Sequence, residues 1–146
     1  MIAASISAYS AYQARSAALA SRKTAQGQVL AALLSEFGTD EMAHAVAELV
    51  SWRKGSEQER RQTAEKKRPY RRPVSYYFQK VHELHKIGAI DDAVVRAVAS
   101  EGQARLYLDI EPLEHLTNPQ YGAGSFEFYA RFYKIGRVPI GPSWRL

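Results

Sequence analysis

Residues Pro73-Val74-Ser75-Tyr76-Tyr77-Phe78-Gln79-Lys80-Val81-His82-Glu83-Leu84-His85-Lys86-Ile87-Gly88 decide the fold. Proline is suited to the first turn of a helix, where its missing N–H is no loss. Val74, Tyr77, Phe78, Val81, Leu84 and His85 then recur three and four positions apart, which predicts an amphipathic helix with one core-facing side. Gly88 supplies the stop. Such a helix buries its face only against other elements, so the flanking sequence has to supply them.

On the C-terminal side, Asp91 is a good cap for a short helix carrying Val94, Val95 and Val98. A further helix is predicted from about Glu101 to Leu116, burying Leu106, Ile110 and Leu113, with a kink at Pro112. Asn118-Pro119 with Gly122 and Gly124 reads as a turn, and Ser125 as the cap of a final helix. That helix is dense in Phe126, Phe128, Tyr129, Phe132 and Tyr133 and reads chiefly as core, though five aromatic residues exceed one face and leave some that could meet a partner. Gly136 ends it, and the Pro- and Gly-bearing residues 137–146 read as an extended tail.

On the N-terminal side, residues 39–55 repeat the helical logic. Thr39 is a candidate cap, Asp40 and Glu41 suit the positive end of the helix dipole, and Met42, Val46, Leu49 and Val50 keep helical spacing up to Lys54-Gly55. The first 36 residues hold no proline and one glycine, and alanine recurs from Ala3 to Ala32, so propensity favours one long helix stopping at Gly38. Gln13 and Arg15 interrupt its apolar beginning short of the roughly 18 residues that span a bilayer. No basic residue precedes that beginning, which also fits a secretory signal poorly. Residues 56–68 lack an apolar stripe and read as an exposed linker or solvated helical turn. No strand-like alternation and no repeat is evident. The expectation is an all-α bundle of five to six helices: an Ala-rich stalk over 1–28, a helical domain over 29–136 and the tail.

At 146 residues, 46% of them apolar, the chain suits a single core. The absence of cysteine excludes disulfides, thiolate metal sites and cysteine nucleophiles. The net charge of +5 is concentrated in one place. Arg60, Arg61, Lys66, Lys67, Arg68, Arg71 and Arg72 stand against the single acid Glu65, leaving the rest of the chain at −1. This segment is the candidate contact for anionic lipid or nucleic acid, and Tyr70, Tyr76 and Tyr77 beside it suggest base stacking. Tyr77, however, falls on the predicted core face.

Other candidate chemistry is thin. His82 and His85 lie three apart, a spacing at which two helical residues can meet one metal ion, with Glu83, His44 or His115 as conceivable third ligands. The zincin motif sets its histidines four apart, and the simpler reading is a core-edge His85 beside a surface His82. Asp109, Glu111 and Glu114 read as a solvated acidic face rather than an acid–base pair. Ser125 follows Gly122-Ala123-Gly124, which matches neither a nucleophile elbow nor a phosphate loop. Trp52 and Trp144 are too isolated to interpret. No catalytic set, metal site or cofactor is expected.

Leu33-Leu34-Ser35-Glu36-Phe37 leading to Met42, Arg72-Pro73-Val74-Ser75-Tyr76-Tyr77-Phe78 leading to Gly88-Ala89-Ile90-Asp91, Leu106 to Pro112-Leu113, and Asn118-Pro119 leading to Phe126 follow a familiar order. Over roughly residues 25–135 the chain resembles an uncharacterised family of bacterial helical proteins, a domain of unknown function behind an N-terminal membrane helix. The resemblance implies a helical fold and a membrane-proximal place, and no catalytic residues. Such relatives place a full apolar span before a segment like Ala8-Tyr9-Ser10-Ala11-Tyr12-Gln13-Ala14-Arg15, whereas this sequence begins inside that region. Beside such a span, Arg15, Arg22 and Lys23 would hold the domain on the cytoplasmic side.

The expectation is therefore a non-enzymatic interaction module, cytoplasmic and peripheral to or anchored at the bacterial inner membrane. Its partner would be another protein or a second copy, reached through small residues such as Ala4 and Ala8 and, on the next row, Ser7 and Ala11, with an anionic membrane surface as a further contact. The alternative is a nucleic-acid-binding module acting through residues 60–72.

Overall fold

The computed structural model describes residues 2–117 and 124–136. Among them are seven helices and no strand: α1 (Ile2–Phe37), α2 (Asp40–Arg53), α3 (Glu57–Thr63), α4 (Arg68–Lys86), α5 (Asp92–Val98), α6 (Glu101–Thr117) and α7 (Ser125–Phe132). The protein is an all-α bundle with a long N-terminal helix. The expected tail, Trp144, and the Asn118-Pro119 turn with Gly122 lie outside the described residues, as do the side chains of His115, Ala4, Ala8, Ser7 and Ala11.

Local chemistry accounts for most helix ends. At the end of α1 the Gly38 N–H reaches the Leu34 carbonyl at 2.9 Å. Thr39 Oγ1 then accepts from the Met42 N–H at 3.2 Å, satisfying a donor that α2 leaves open. Asp91 does the same for α5, accepting from the Ala93 and Val94 N–H groups at 3.0 and 3.1 Å. After α4, Gly88 adopts φ +75°, the left-handed conformation that favours glycine.

Two boundaries differ from the sequence reading. Residues 56–68 are structured: Ser56 and Glu59 form a reciprocal capping box that opens α3. Ala64 is buried and the Trp52 indole donates to Thr63 Oγ1 at 3.1 Å, which ties the segment to α2. Trp52, uninterpretable in sequence, is thus a core residue. In addition, α4 begins at Arg68 with Pro69 in its first turn, so Pro73 lies inside the helix. Proline removes one ladder hydrogen bond there, and the helix persists because Arg71, Val74, Ser75 and Phe78 bury on either side of it.

The central element is α4, which packs against α2, α5, α6 and α7, while α1 packs on α5 and α2. Arg71, Val74, Ser75, Phe78, Val81 and His82 recur three and four apart along its buried side. Tyrosines pin the neighbours in place. Tyr77 Oη donates to the Val98 carbonyl at 3.0 Å, Tyr129 Oη to the Phe78 carbonyl at 2.9 Å, and Tyr133 Oη to the Ala99 carbonyl. Among the described residues of α1, the last turns join this core, through Val29, Leu30, Leu33 and Phe37.

Candidate functional site

The seven basic residues of the 60–72 segment do not form one surface. Arg61, Lys66 and Arg68 are exposed, Arg60 is half-buried, and Lys67 is held by Glu48 at 2.6 Å. Arg71, expected among the exposed anion contacts, is 1% exposed. It points inward because it stands three residues before Val74 and seven before Phe78, on the row that faces the core. Its Nη1 meets Glu114 Oε1 at 2.5 Å, its Nη2 lies 3.8 Å from Glu65, and Arg72 Nε approaches Glu114 Oε2 at 3.5 Å. Among the described residues Lys66 and Arg68 form no ion pair, and both are exposed.

The acidic residues of α6 are likewise not a solvated face. Glu111 and Glu114 are buried, and Asp109 is half-buried and bridged to Arg53 at 2.6 Å. The reason is geometric: Glu114 lies four residues after Ile110 on α6 and reaches the one cation buried on α4. Burial pushes the Glu114 carboxyl above the usual carboxylate range, with Arg71 pulling the other way. Burial also lowers the Arg71 pKa, against the attraction of Glu114. Withdrawal from water thus outweighs the mutual attraction on both sides, which makes the pair a structural tie between α4 and α6.

The tyrosines near the segment divide in the same way. Tyr77 is fully buried and unable to stack on a base. Tyr70 is half-buried, its ring edge-on to His44 at 5.4 Å and under Lys67 Nζ at 5.3 Å. Tyr76 is exposed and its hydroxyl accepts from Arg72 Nη1 at 3.2 Å.

The histidines reverse the expected order, His82 being the more enclosed. It belongs to the buried row of α4, with Nδ1 3.7 Å from Glu83 and no hydrogen bond. Burial depresses its pKa, opposed by the neighbouring Glu83. His85 Nε2 is 2.8 Å from Asp92 Oδ1 at the edge of the bundle. Both imidazoles lie 5.0 Å from the Phe128 ring. Among the described residues no three His, Asp or Glu side chains are grouped to hold a metal ion.

Ser125 is not the cap of α7. Gly124 takes that position at φ +86°, and Ser125 is buried with its Oγ 2.5 Å from Tyr107 Oη. Of the aromatic residues around α7, Tyr129 is fully buried while Phe128, Phe132 and Tyr133 pack at the margin of the core.

The least covered element is α1. Residues 12–25 are exposed, including Tyr12 at 70% and Leu19 at 54%. Seven residues apart, these two share one side of the helix. At about 1.5 Å per residue the 36-residue helix is roughly 54 Å long, most of it beyond the turns that pack on α2 and α5. Among the described residues no helix is long and apolar enough to cross a membrane.

Fold and surfaces together define a class, an all-α bundle with a projecting N-terminal helix. No protein-family model, curated protein or solved structure matches the chain.

Proposed function

We propose that this protein is a non-enzymatic helical interaction module whose N-terminal helix is its contact element, placed beside the cytoplasmic face of a bacterial membrane. The observation that carries this reading is the exposure of residues 12–25 in a helix whose last turns belong to the core. Most helical stability in proteins comes from packing rather than propensity, so a long helix with this much uncovered length gains stability from a partner helix or surface. Tyr12 and Leu19 offer the apolar contacts, and the partner is a second copy of the chain or another helical protein. The membrane-proximal place rests on the family resemblance and on the cations Arg15, Arg22, Lys23, Lys66 and Arg68, each worth on the order of 1 kcal/mol at an anionic surface.

The test compares the full chain with a form lacking residues 1–24, by light scattering and by flotation with vesicles containing phosphatidylglycerol. The full chain is expected to self-associate or float, and the truncated form to stay folded and monomeric and to float less. A truncated form with unchanged mass and flotation defeats the contact-element reading. Charge reversal at Lys66 and Arg68 that abolishes RNA or DNA binding while flotation persists would favour the nucleic-acid alternative.

A further inference from the structure

An open groove of about 440 Å³ lies between α4 and α7, lined among the described residues by His82, Gly124, Glu127, Phe128, Arg131 and Phe132. We propose that it binds a small aromatic carboxylate. Its volume lies within the few hundred to a thousand Å³ typical of small-molecule sites. Each wall supplies a different part of the recognition.

Phe128 and Phe132, with ring centroids 5.3 Å apart and planes inclined by 36°, make an apolar shelf on which a flat ring can lie. Arg131, one turn beyond Glu127 on α7, is exposed and has no ion pair among the described residues, so its planar guanidinium can grip a carboxylate through two parallel hydrogen bonds. The deepest polar group is His82, 9% exposed, whose Nδ1 is buried with no hydrogen bond among the described residues. Polar groups so enclosed nearly always have a partner, and a ligand atom reaching the imidazole would supply one. Gly124, whose φ of +86° favours glycine, lies beside the imidazole, a Cβ there standing 3.5 Å from His82 Cε1 in ordinary contact.

The charges choose among anions. Glu127 shares the rim with Arg131 and repels a dianion, which disfavours phosphate and favours a singly charged carboxylate. Burial holds His82 in its neutral form, which offers one donor and one acceptor rather than a second positive charge.

The probes are benzoate and its uncharged counterpart benzamide, titrated into the full chain and followed by NMR at His82 and Phe128. Benzoate is expected to give saturable shifts at both residues, with benzamide at least roughly tenfold weaker, as expected for the loss of a charge-assisted hydrogen bond. Arg131→Gln, at an exposed position that leaves the fold intact, should weaken benzoate by a similar factor and bring the two probes together. His82→Phe, which keeps a ring but no nitrogen, should weaken both. Absence of saturable shifts at millimolar benzoate, unchanged affinity in Arg131→Gln, or shifts centred on Lys66 and Arg68 would overturn the assignment.

Discussion

Phe78 is 1% exposed, and its ring is enclosed by three tyrosines. It stacks on Tyr107 at 4.9 Å with planes 7° apart and meets the edges of Tyr129 at 5.1 Å and Tyr77 at 5.7 Å. Phe78→Ala deletes the ring and leaves a cavity, a change that costs about 3–5 kcal/mol in protein cores. Where a site falls in that range depends on how far its walls can close. Here they are fastened: Tyr77 to the Val98 carbonyl, Tyr107 to Ser125, and Tyr129 to the carbonyl of residue 78, which alanine retains. The expected loss is therefore in the upper half, about 4–5 kcal/mol, against a total of about 5–15 for a domain. With a urea slope of about 2 kcal/mol per molar, the midpoint should fall by roughly 2 M in unfolding followed by circular dichroism and tryptophan fluorescence. Phe78→Leu, which keeps much of the volume, should lose about 1–2 kcal/mol. An alanine midpoint lowered by less than roughly 0.5 M would refute the reasoning, because the ring would then lie outside the core or its walls would be free to collapse.

Glu114→Ala should destabilise by about 3–5 kcal/mol because it strands Arg71 in the core, whereas replacing both residues by methionine should be near neutral in the same unfolding assay. Burial raises the folded-state pKa of Glu114 above its ordinary 4.5, so its contribution to stability is full below that value and is lost as pH rises through the raised pKa. Glu114→Gln should flatten that part of a stability–pH profile. His82 has the opposite sign: its folded pKa is depressed below 6.5, so its contribution is full above 6.5 and is lost as pH falls through the depressed value. His82→Gln should remove that acid limb, which a pH series of urea midpoints would reveal. Thr39→Ala removes the acceptor for the Met42 N–H and should cost about 1 kcal/mol by the same measurement.

The helices themselves were legible wherever a local signal marks an end, as at Gly38, Thr39, Gly88 and Asp91. The segment between α2 and α4 was not, because α3 has no apolar stripe from which a helix could be read. It is specified instead by the Ser56–Glu59 box and by two contacts distant in sequence, buried Ala64 and the Trp52–Thr63 bond. Pro73 misled for a related reason. Its preference for a first turn is a local statement, and the packing of Arg71 and Val74 extends the helix past it.

The candidate site was harder, since charge along a sequence does not say which way a side chain points. Arg71 and Arg72 are adjacent and chemically alike, yet one is sealed in the core and the other half-exposed. Helical phase separates them: counting back from Val74 and Phe78 puts Arg71 on the buried row, and counting back from Tyr76 puts Arg72 on the wet one. That count can be made from sequence alone and predicts that a buried arginine needs a buried acid. It leaves Asp109, Glu111 and Glu114 as choices, and only the placement of α6 against α4 selects Glu114. With Arg71 committed to Glu114 and Lys67 to Glu48, the cations left to meet a partner on this side are chiefly Lys66 and Arg68. On the proposed reading two such charges tune adhesion but are too few to dominate it, which leaves the uncovered helix α1, rather than the basic segment, as the element to test for partner choice.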